Sequence, residues 1–537
     1  MKILYAASEA LPFIASGGLA DVAGSLPRAI NQLGHDCRVV LPLYGDIKQE
    51  MREKLTYVTH FFVDLSWRTQ YCGLFTAEIN GVTYYLLDNE YYFGRNGIYG
   101  FFDDAERFSF FSKAIVDMLP HICEEFKPDI IHCNDWQTAL VPVYLNVYYR
   151  KYDLYRNIRT IFTIHNIAYQ GRYGYDILGD VLGLPIEAKN LLDHDGCLNF
   201  MKAAIESSDK VTTVSPTYAR EILDPWFSHG LDPLLKARSF KLSGILNGID
   251  TELYNSKNPD GIFKTFTARS LAGKRTNKDE LCKMVGLDVD DSPLIGMVTR
   301  LAAHKGLDLV KFVFDEMIQD GNKFVILGSG ERQFENFFTE MAEKYPGRVA
   351  AIIGFIPDTA KKIYAGSDIF LMPSQSEPCG LAQMVSLRYG TIPVVRETGG
   401  LSDSILDYGD PSGNGNGFTF KTYNAHDMLG AIRRATGLYS GNPELWKKLV
   451  KHALTCDFSW ERSAREYQYK SYLYREKPWF PVLKGAAAFL LWNKALHKKE
   501  PTFVGSSASI VLWLISSDIL PIDSNQKYPF YPIQTGK

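Results

Sequence analysis

Apolar, β-rich runs alternate with helical patterns along most of the chain. In the first half, strands are expected at KILYAA, CRVVLPL, DIIHCN, RTIFTIH and KVTTVS. In the second half they are expected at PLIGMVTR, KFVILGS, RVAAIIGF, DIFLMPS and TIPVVR. Amphipathic stretches fall between many of them; the first follows FIASGG and puts Val22, Leu26 and Ile30 on one helical face. Alternation of this kind implies parallel sheets covered on both faces. The pattern occurs twice and changes character at KLSGILNGID (241–250), where Asn-Gly before Asp is turn chemistry suited to a connector. The expected fold is α/β, with two Rossmann-like domains facing across a cleft and ligands beyond the C-terminal ends of strands. Residues 80–104, rich in Tyr, Phe and Gly without a clear period, read as an aromatic loop whose rings could stack on sugars. DFSWERSAREYQYKSYLY reads as a last helix opening at Ser459. The expected boundaries are 1–243, 244–456, a helix over 457–477, and a tail over 478–537 that carries no motif.

Composition narrows the function classes. A chain of 537 residues and 60.7 kDa suggests two or more domains. The net charge of -3 supplies no basic field for nucleic acid. The eight cysteines are scattered, without a CxxC pair or zinc spacing, so reduced thiols, a cytoplasmic location and no metal are expected. The N-terminal apolar run is broken by Ser8 and Glu9 and suits a first strand better than a signal peptide. The runs GAAAFLLW and IVLWLI in the tail are too short to span a bilayer, so no membrane partner is expected.

The strand ends carry the candidate chemistry. Gly17 and Gly18, between a strand and a helix, allow close backbone approach, and the following amides suit an anion; a tight turn would look the same. IHCNDWQ ends a strand with His132, Asn134 and Asp135, and IFTIHN ends one with His165 and Asn166. MVTRLAAHKG carries Arg300 and Lys305, LMPSQSEPCG carries Glu377, Cys379 and Gly380, and VVRETGGLSDS carries Gly399 and Gly400. Taken singly, each is as readily a loop hydrogen-bonder or a surface charge. Taken together, two cations bracketing a strand-to-helix loop and two glycine-paired loops suit a diphosphate, and so a phosphorylated donor. The G-S-G at 328–330 lacks the third glycine of a dinucleotide fingerprint.

From Met1 to about Lys477 the chain resembles bacterial glycogen synthases and the related starch synthases, retaining glucosyltransferases of the two-Rossmann (GT-B) architecture. The resemblance is carried by SGGLADVAGSLP, HCNDWQTAL, TIHNIAYQG, NFMKAAIESSDKVTTVSPTYAREI, NGID, TRLAAHKGLDLV, the long block around EPCGL and TGGL, and DFSWERSAREY. Many other GT-B transferases place a second glutamate eight residues after the first; here that position is Val385, as in the glycogen synthase branch. The resemblance implies transfer of glucose from ADP-glucose to the non-reducing end of an α-1,4-glucan, with no further cofactor and with the C-terminal helix packed back on the N-terminal domain. It implies that Arg300 and Lys305 hold the donor diphosphate, that Glu377 lies near the donor glucose, that His165 lies near the transferred glucose and that Asp135 stands in the cleft. Gly18 and Asp21 would line the N-domain side. Asn247, Cys379, Gly380, Leu381, Thr398, Gly399 and Gly400 would contact substrate, and Phe355 would stack on adenine where the family often has tyrosine. Two positions depart from the pattern: Ala15 replaces a common lysine and Ala382 a common threonine. The rival readings are a GT-B transferase using UDP-glucose or another acceptor, and a catalytically silent glucan-binding homologue. A PLP-dependent phosphorylase would need a Schiff-base lysine that nothing in the sequence marks.

Overall fold

The computed structural model describes residues 1–354 and 356–473. Phe355 and the 478–537 tail therefore lie outside the described residues. In the first half the strands are β1 (Lys2–Ala6), β2 (Asp36–Pro42), β3 (Thr56–Leu65), β4 (Arg68–Ile79), β5 (Val82–Asp88), β6 (Ile130–Asn134) and β7 (Arg159–Ile164). A small antiparallel sheet follows, made of β8 (Arg172–Tyr173), β9 (Asp193–His194) and β10 (Cys197–Asn199). Then come β11 (Lys210–Thr213) and β12 (Leu242–Gly244). The large sheet has the order β12-β11-β7-β6-β1-β2-β5-β4-β3. It is parallel from β12 to β5, and β4 and β3 run antiparallel at one edge.

The second half builds a separate sheet from β13 (Leu294–Val298), β14 (Lys323–Gly328), β15 (Val349–Ile353), β16 (Ile369–Met372), β17 (Ile392–Arg396) and β18 (Phe418–Phe420). Its order is β15-β14-β13-β16-β17-β18, all parallel. Numbered within the sheet this is the doubly-wound order, with a topological switch between β13 and β16. The first sheet has the equivalent switch between β1 and β6. Central strands such as β6 are buried at every residue, which is why they read as unbroken apolar runs.

Four helices matter to the site: α1 (Gly18–Gln32), α2 (Pro216–Glu221), α3 (Gly399–Ser404) and α4 (Trp460–Tyr467). Helix α1 buries Val22, Leu26 and Ile30, as its spacing requires. Helix α4 opens after Ser459 and packs against α1. Ser463 donates to the Leu246 carbonyl at 2.6 Å, and the Tyr472 hydroxyl lies 3.0 Å from Nδ1 of the buried His132. The chain thus returns to the N-terminal domain after completing the second one. His132 is a core residue here, bonded also to Thr163 at 2.6 Å.

Two expectations are corrected. Residues 80–104 are not one aromatic loop: 82–88 form β5, an interior strand with Tyr84, Tyr85, Leu86 and Leu87 buried, and Tyr92 and Phe93 are buried in the turn of helix Glu90–Phe93. The period was obscured because β5 is covered on both faces. In the connector, 242–244 pair with β11 as β12, so only the residues after Gly244 lead away from the sheet. Gly244 is needed there, because a Cβ would lie 2.2 Å from the Ser215 carbonyl oxygen.

Candidate functional site

The loops after β13 and β16 meet at the switch point of the second sheet. The first carries Arg300, exposed, and Lys305; the second carries Glu377, buried. Lys305 Nζ lies 2.6 Å from Glu377 Oε2, which also accepts from Ser374 Oγ at 3.1 Å. Gln375 N donates to the His304 carbonyl at 2.9 Å and ties the two loops together. Burial, then the Lys305 and Arg300 charges, hold the His304 imidazole below its ordinary pKa. Arg300 and Lys305 supply the positive charge of this loop, and Glu377 offsets that of Lys305.

The Thr398–Gly400 turn opens α3 and is packed on the Glu377 loop. Gly399 has φ +44°, and a Cβ there would lie 2.0 Å from the Glu377 carbonyl oxygen. A Cβ on Gly400 would lie 2.1 Å from the Cys379 carbonyl oxygen. Gly400 N donates to the carbonyls of Glu377 at 3.2 Å and Pro378 at 3.1 Å. Gly380, at φ +69°, precedes Leu381, which caps the next helix. Burial pushes the Cys379 thiol up to about 12, against the pull of the Asn247 backbone amide. Asn247, from the connector, is thereby brought against the EPCGL loop.

The first Gly-Gly pair behaves differently. Gly17 caps α1 in extended backbone, and a Cβ on Gly18 would meet nothing within 4 Å. Gly18 therefore faces open space, and of the first-turn amides of α1, Ala20 N donates to the Gly17 carbonyl at 3.2 Å. Upstream in the same loop, Glu9 Oε2 accepts from Ser16 N and, at 3.3 Å, from Gly17 N. Both glycine-paired loops thus hold an anion, and in both it belongs to the chain: Glu9 in the first, and Glu221 on Gly399 N at 3.0 Å in the second. Ala15 is exposed in the first loop.

Asp135 and His165 follow β6 and β7, beside the switch point of the first sheet. Asp135 Oδ1 accepts from His165 N at 2.8 Å, and His165 Nε2 lies 2.8 Å from Asn134 Oδ1. Burial pushes the Asp135 carboxyl up to about 7, against the pull of the His165 and Asn166 amides. Burial holds His165 down at about 3, so its ring is neutral near pH 7. Asp135 has φ 54° and ψ −179°, a conformation rare for a residue with a side chain and of the kind that clusters at functional sites. Asp21, on α1, is raised to about 6 by burial and by the Asp250 charge.

The sequence candidates divide between the domains, Asp135, His165, Gly18 and Asp21 on the first and Arg300, Lys305, Glu377, Cys379 and 398–400 on the second; the structure brings Asp135 to His165 and Lys305 to Glu377, while the charged neighbour of Asp21 is Asp250. Phe355 lies outside the described residues. Side chains that bridge the domains were missed: Ser215 Oγ donates to the Pro378 carbonyl at 2.7 Å, Thr217 binds Asp403, and Thr398 Oγ1 donates to Glu221 at 2.9 Å. Glu9 and Glu221 carried a readable signal, an acid at a strand end and an acid closing a short helix after a strand. Among the described residues, no group of three or more His, Cys, Asp or Glu side chains is gathered to hold a metal ion. No described helix is long and apolar enough to cross a membrane.

Residues 2–237 match the starch synthase catalytic domain, and residues 283–451 match the glycosyl transferases group 1 family. The chain is 49% identical to the glycogen synthase of Geobacillus thermodenitrificans over 471 residues, covering 87% of this chain and 96% of that one. It is 48% identical to a glycogen synthase of Bacillus cereus, covering 88% of this chain and 99% of that one. The catalytic domain of starch synthase IV from Arabidopsis thaliana, solved with ADP and acarbose bound, superposes with a TM-score of 0.81 at 35% identity, covering 87% of this chain and 98% of that one. Two doubly-wound domains of the GT-B type, a cation–carboxylate pair at one switch point and these matches along both halves lead to one conclusion: the chain belongs to the glycogen synthase and starch synthase family of glucosyltransferases.

Proposed function

We propose that the chain transfers glucose from ADP-glucose to the non-reducing end of an α-1,4-glucan with retention of configuration. The observation that carries this reading is the Lys305–Glu377 pair, 2.6 Å apart where the loops after β13 and β16 meet, in a chain of this family. The relative solved with ADP and acarbose supports a nucleotide and a glucan as ligands of such a fold. Arg300 and Lys305 are the groups offered to the diphosphate. As the bond from the anomeric carbon to the phosphate oxygen breaks, negative charge collects on ADP, and the two cations stabilise it. The anomeric centre becomes oxocarbenium-like. The acceptor hydroxyl attacks from the face the leaving group vacates and gives its proton to the departing phosphate. One glycosidic bond replaces the phosphate ester, and configuration is retained without a covalent enzyme intermediate.

Other side chains take supporting roles. Glu377, ion-paired, keeps Lys305 aimed into the cleft. The neutral His165 ring acts as a hydrogen-bonding partner for the sugar, since a low pKa keeps it uncharged. Asp135, in a strained conformation at the other switch point, faces the sugar side. Closure of the two domains excludes water and protects the donor from hydrolysis.

The test is incorporation of radiolabelled glucose from ADP-glucose into glycogen by wild type and Glu377→Ala. Wild type should elongate glycogen, and the variant should lose about 100-fold or more in rate. Undiminished elongation by Glu377→Ala would overturn the site assignment.

A further inference from the structure

Glu221 closes α2 on the N-terminal domain and reaches across to the second domain. Its Oε1 accepts from Thr398 Oγ1 at 2.9 Å and from Gly399 N at 3.0 Å. Its Oε2 is buried without a hydrogen-bond partner in the structure, so a single oxygen makes both bonds. Gly399 and Gly400 in turn lie against the backbone of 377–379, too closely for any side chain. Gly400 N is bonded to the carbonyls of Glu377 and Pro378, and the Glu377 carboxylate is bonded to Lys305. An unbroken series of short contacts therefore runs from an N-domain carboxylate, through the Thr398–Gly400 turn, to the cation–carboxylate pair.

A second acid makes the mirror-image bond. Asp403, in α3, accepts from Thr217 N at 2.7 Å and from Thr217 Oγ1 at 2.8 Å, in the first turn of α2. The start of each helix is thus capped by an acid from the other domain, where a helix N-terminus favours negative charge. The two caps differ in what they touch. The Asp403 side chain joins the domains through Thr217, whereas the Glu221 side chain holds the Thr398–Gly400 turn itself.

We propose that Glu221 is a positioning residue for the transfer reaction, holding the Thr398–Gly400 turn from the N-terminal domain and so keeping Glu377 and Lys305 in register when the domains meet. This rests on the glucosyltransferase reading above. The pair must sit in the right place for the developing charge, and a displacement of about 1 Å in such a site costs on the order of 100-fold in rate.

The experiment compares Glu221→Ala, Glu221→Gln and Asp403→Ala in the full chain, by steady-state kinetics with ADP-glucose and glycogen and by hydrogen exchange of the segment around 396–401. Glu221→Ala should lower kcat roughly 10- to 100-fold with KM for glycogen unchanged. It should also speed exchange in that segment about tenfold or more. Glu221→Gln keeps an acceptor oxygen and should recover most of the activity. Asp403→Ala removes the Thr217 cap and leaves the Glu221 bonds in place, so it should change exchange at 396–401 and kcat much less. Should Glu221→Ala fail to fold, Thr398→Val takes its place: it removes the hydroxyl donor and should lower kcat and speed exchange at 396–401, with KM for glycogen unchanged. Unchanged exchange and kcat in Glu221→Ala, or equal losses in Asp403→Ala, would overturn the proposal. A wild type that rejects ADP-glucose would instead overturn the donor assignment. The exchange measurement would still decide the role of Glu221.

Discussion

Asp135 and His165 are joined by one hydrogen bond and pushed in opposite directions, the carboxyl up to about 7 and the imidazole down to about 3, each by burial. Both are thereby driven toward their neutral forms. For Asp135 the folded pKa lies above the unfolded one. Its contribution to stability is complete below about pH 3.8 and is lost as pH rises through about 7. His165 and His132, both lowered, contribute with the opposite sign below about pH 6.5. A wild-type pH profile therefore mixes the two, and the variant isolates the acid. Asp135→Asn should flatten the fall in stability between pH 5 and pH 8 by on the order of 1–3 kcal/mol, read as urea midpoints. An identical pH dependence in variant and wild type would contradict this. The glycines give a second contrast. Gly18→Ala meets open space at a helix start and should leave the thermal midpoint nearly unchanged. Gly399→Ala would drive a Cβ into the Glu377 carbonyl at positive φ and should destabilise by about 2 kcal/mol or more, with loss of activity.

At the scale of elements, the C-terminal helix holds the N-terminal domain through particular contacts. Tyr472→Phe would leave Nδ1 of the buried His132 without its partner and should cost about 1–3 kcal/mol in urea unfolding. Equal stability of variant and wild type would show that the hydrogen bond contributes nothing. The interior strands were legible because parallel sheets buried on both faces produce unbroken apolar runs bounded by turn residues, as in RTIFTIH or KFVILGS. Strands β3 and β4 were not read. In β3 the inward Phe61, Val63 and Leu65 alternate with the outward His60, Phe62 and Asp64, a period-2 pattern of an antiparallel edge inside a chain otherwise dominated by β–α alternation. Strand β5 was hidden by its tyrosines, which fill the core here and look like loop aromatics in the sequence.

For the whole molecule, the candidate site was legible on each domain separately, since strand-end positions are local in sequence. What joins the domains was not, because the partners of each bridging bond lie far apart along the chain: Ser215 with Pro378, Thr217 with Asp403, Glu221 with Thr398 and Gly399. Two short helices whose first turns are capped from each other's domain, with Ser215 bonded to the Pro378 carbonyl, tie the two domains together beside the Thr398–Gly400 turn. Under the proposed function, the cations of one domain and the Asp135–His165 pair of the other would act together on a single donor. The most direct measurement is the rate of radiolabelled glucose transfer to glycogen from ADP-glucose and from UDP-glucose, with wild type and Glu377→Ala side by side. Efficient transfer from ADP-glucose by wild type, at least about tenfold faster than from UDP-glucose and lost in Glu377→Ala, is the expected result. No transfer from either donor by the folded wild type, or transfer undiminished in Glu377→Ala, would contradict it.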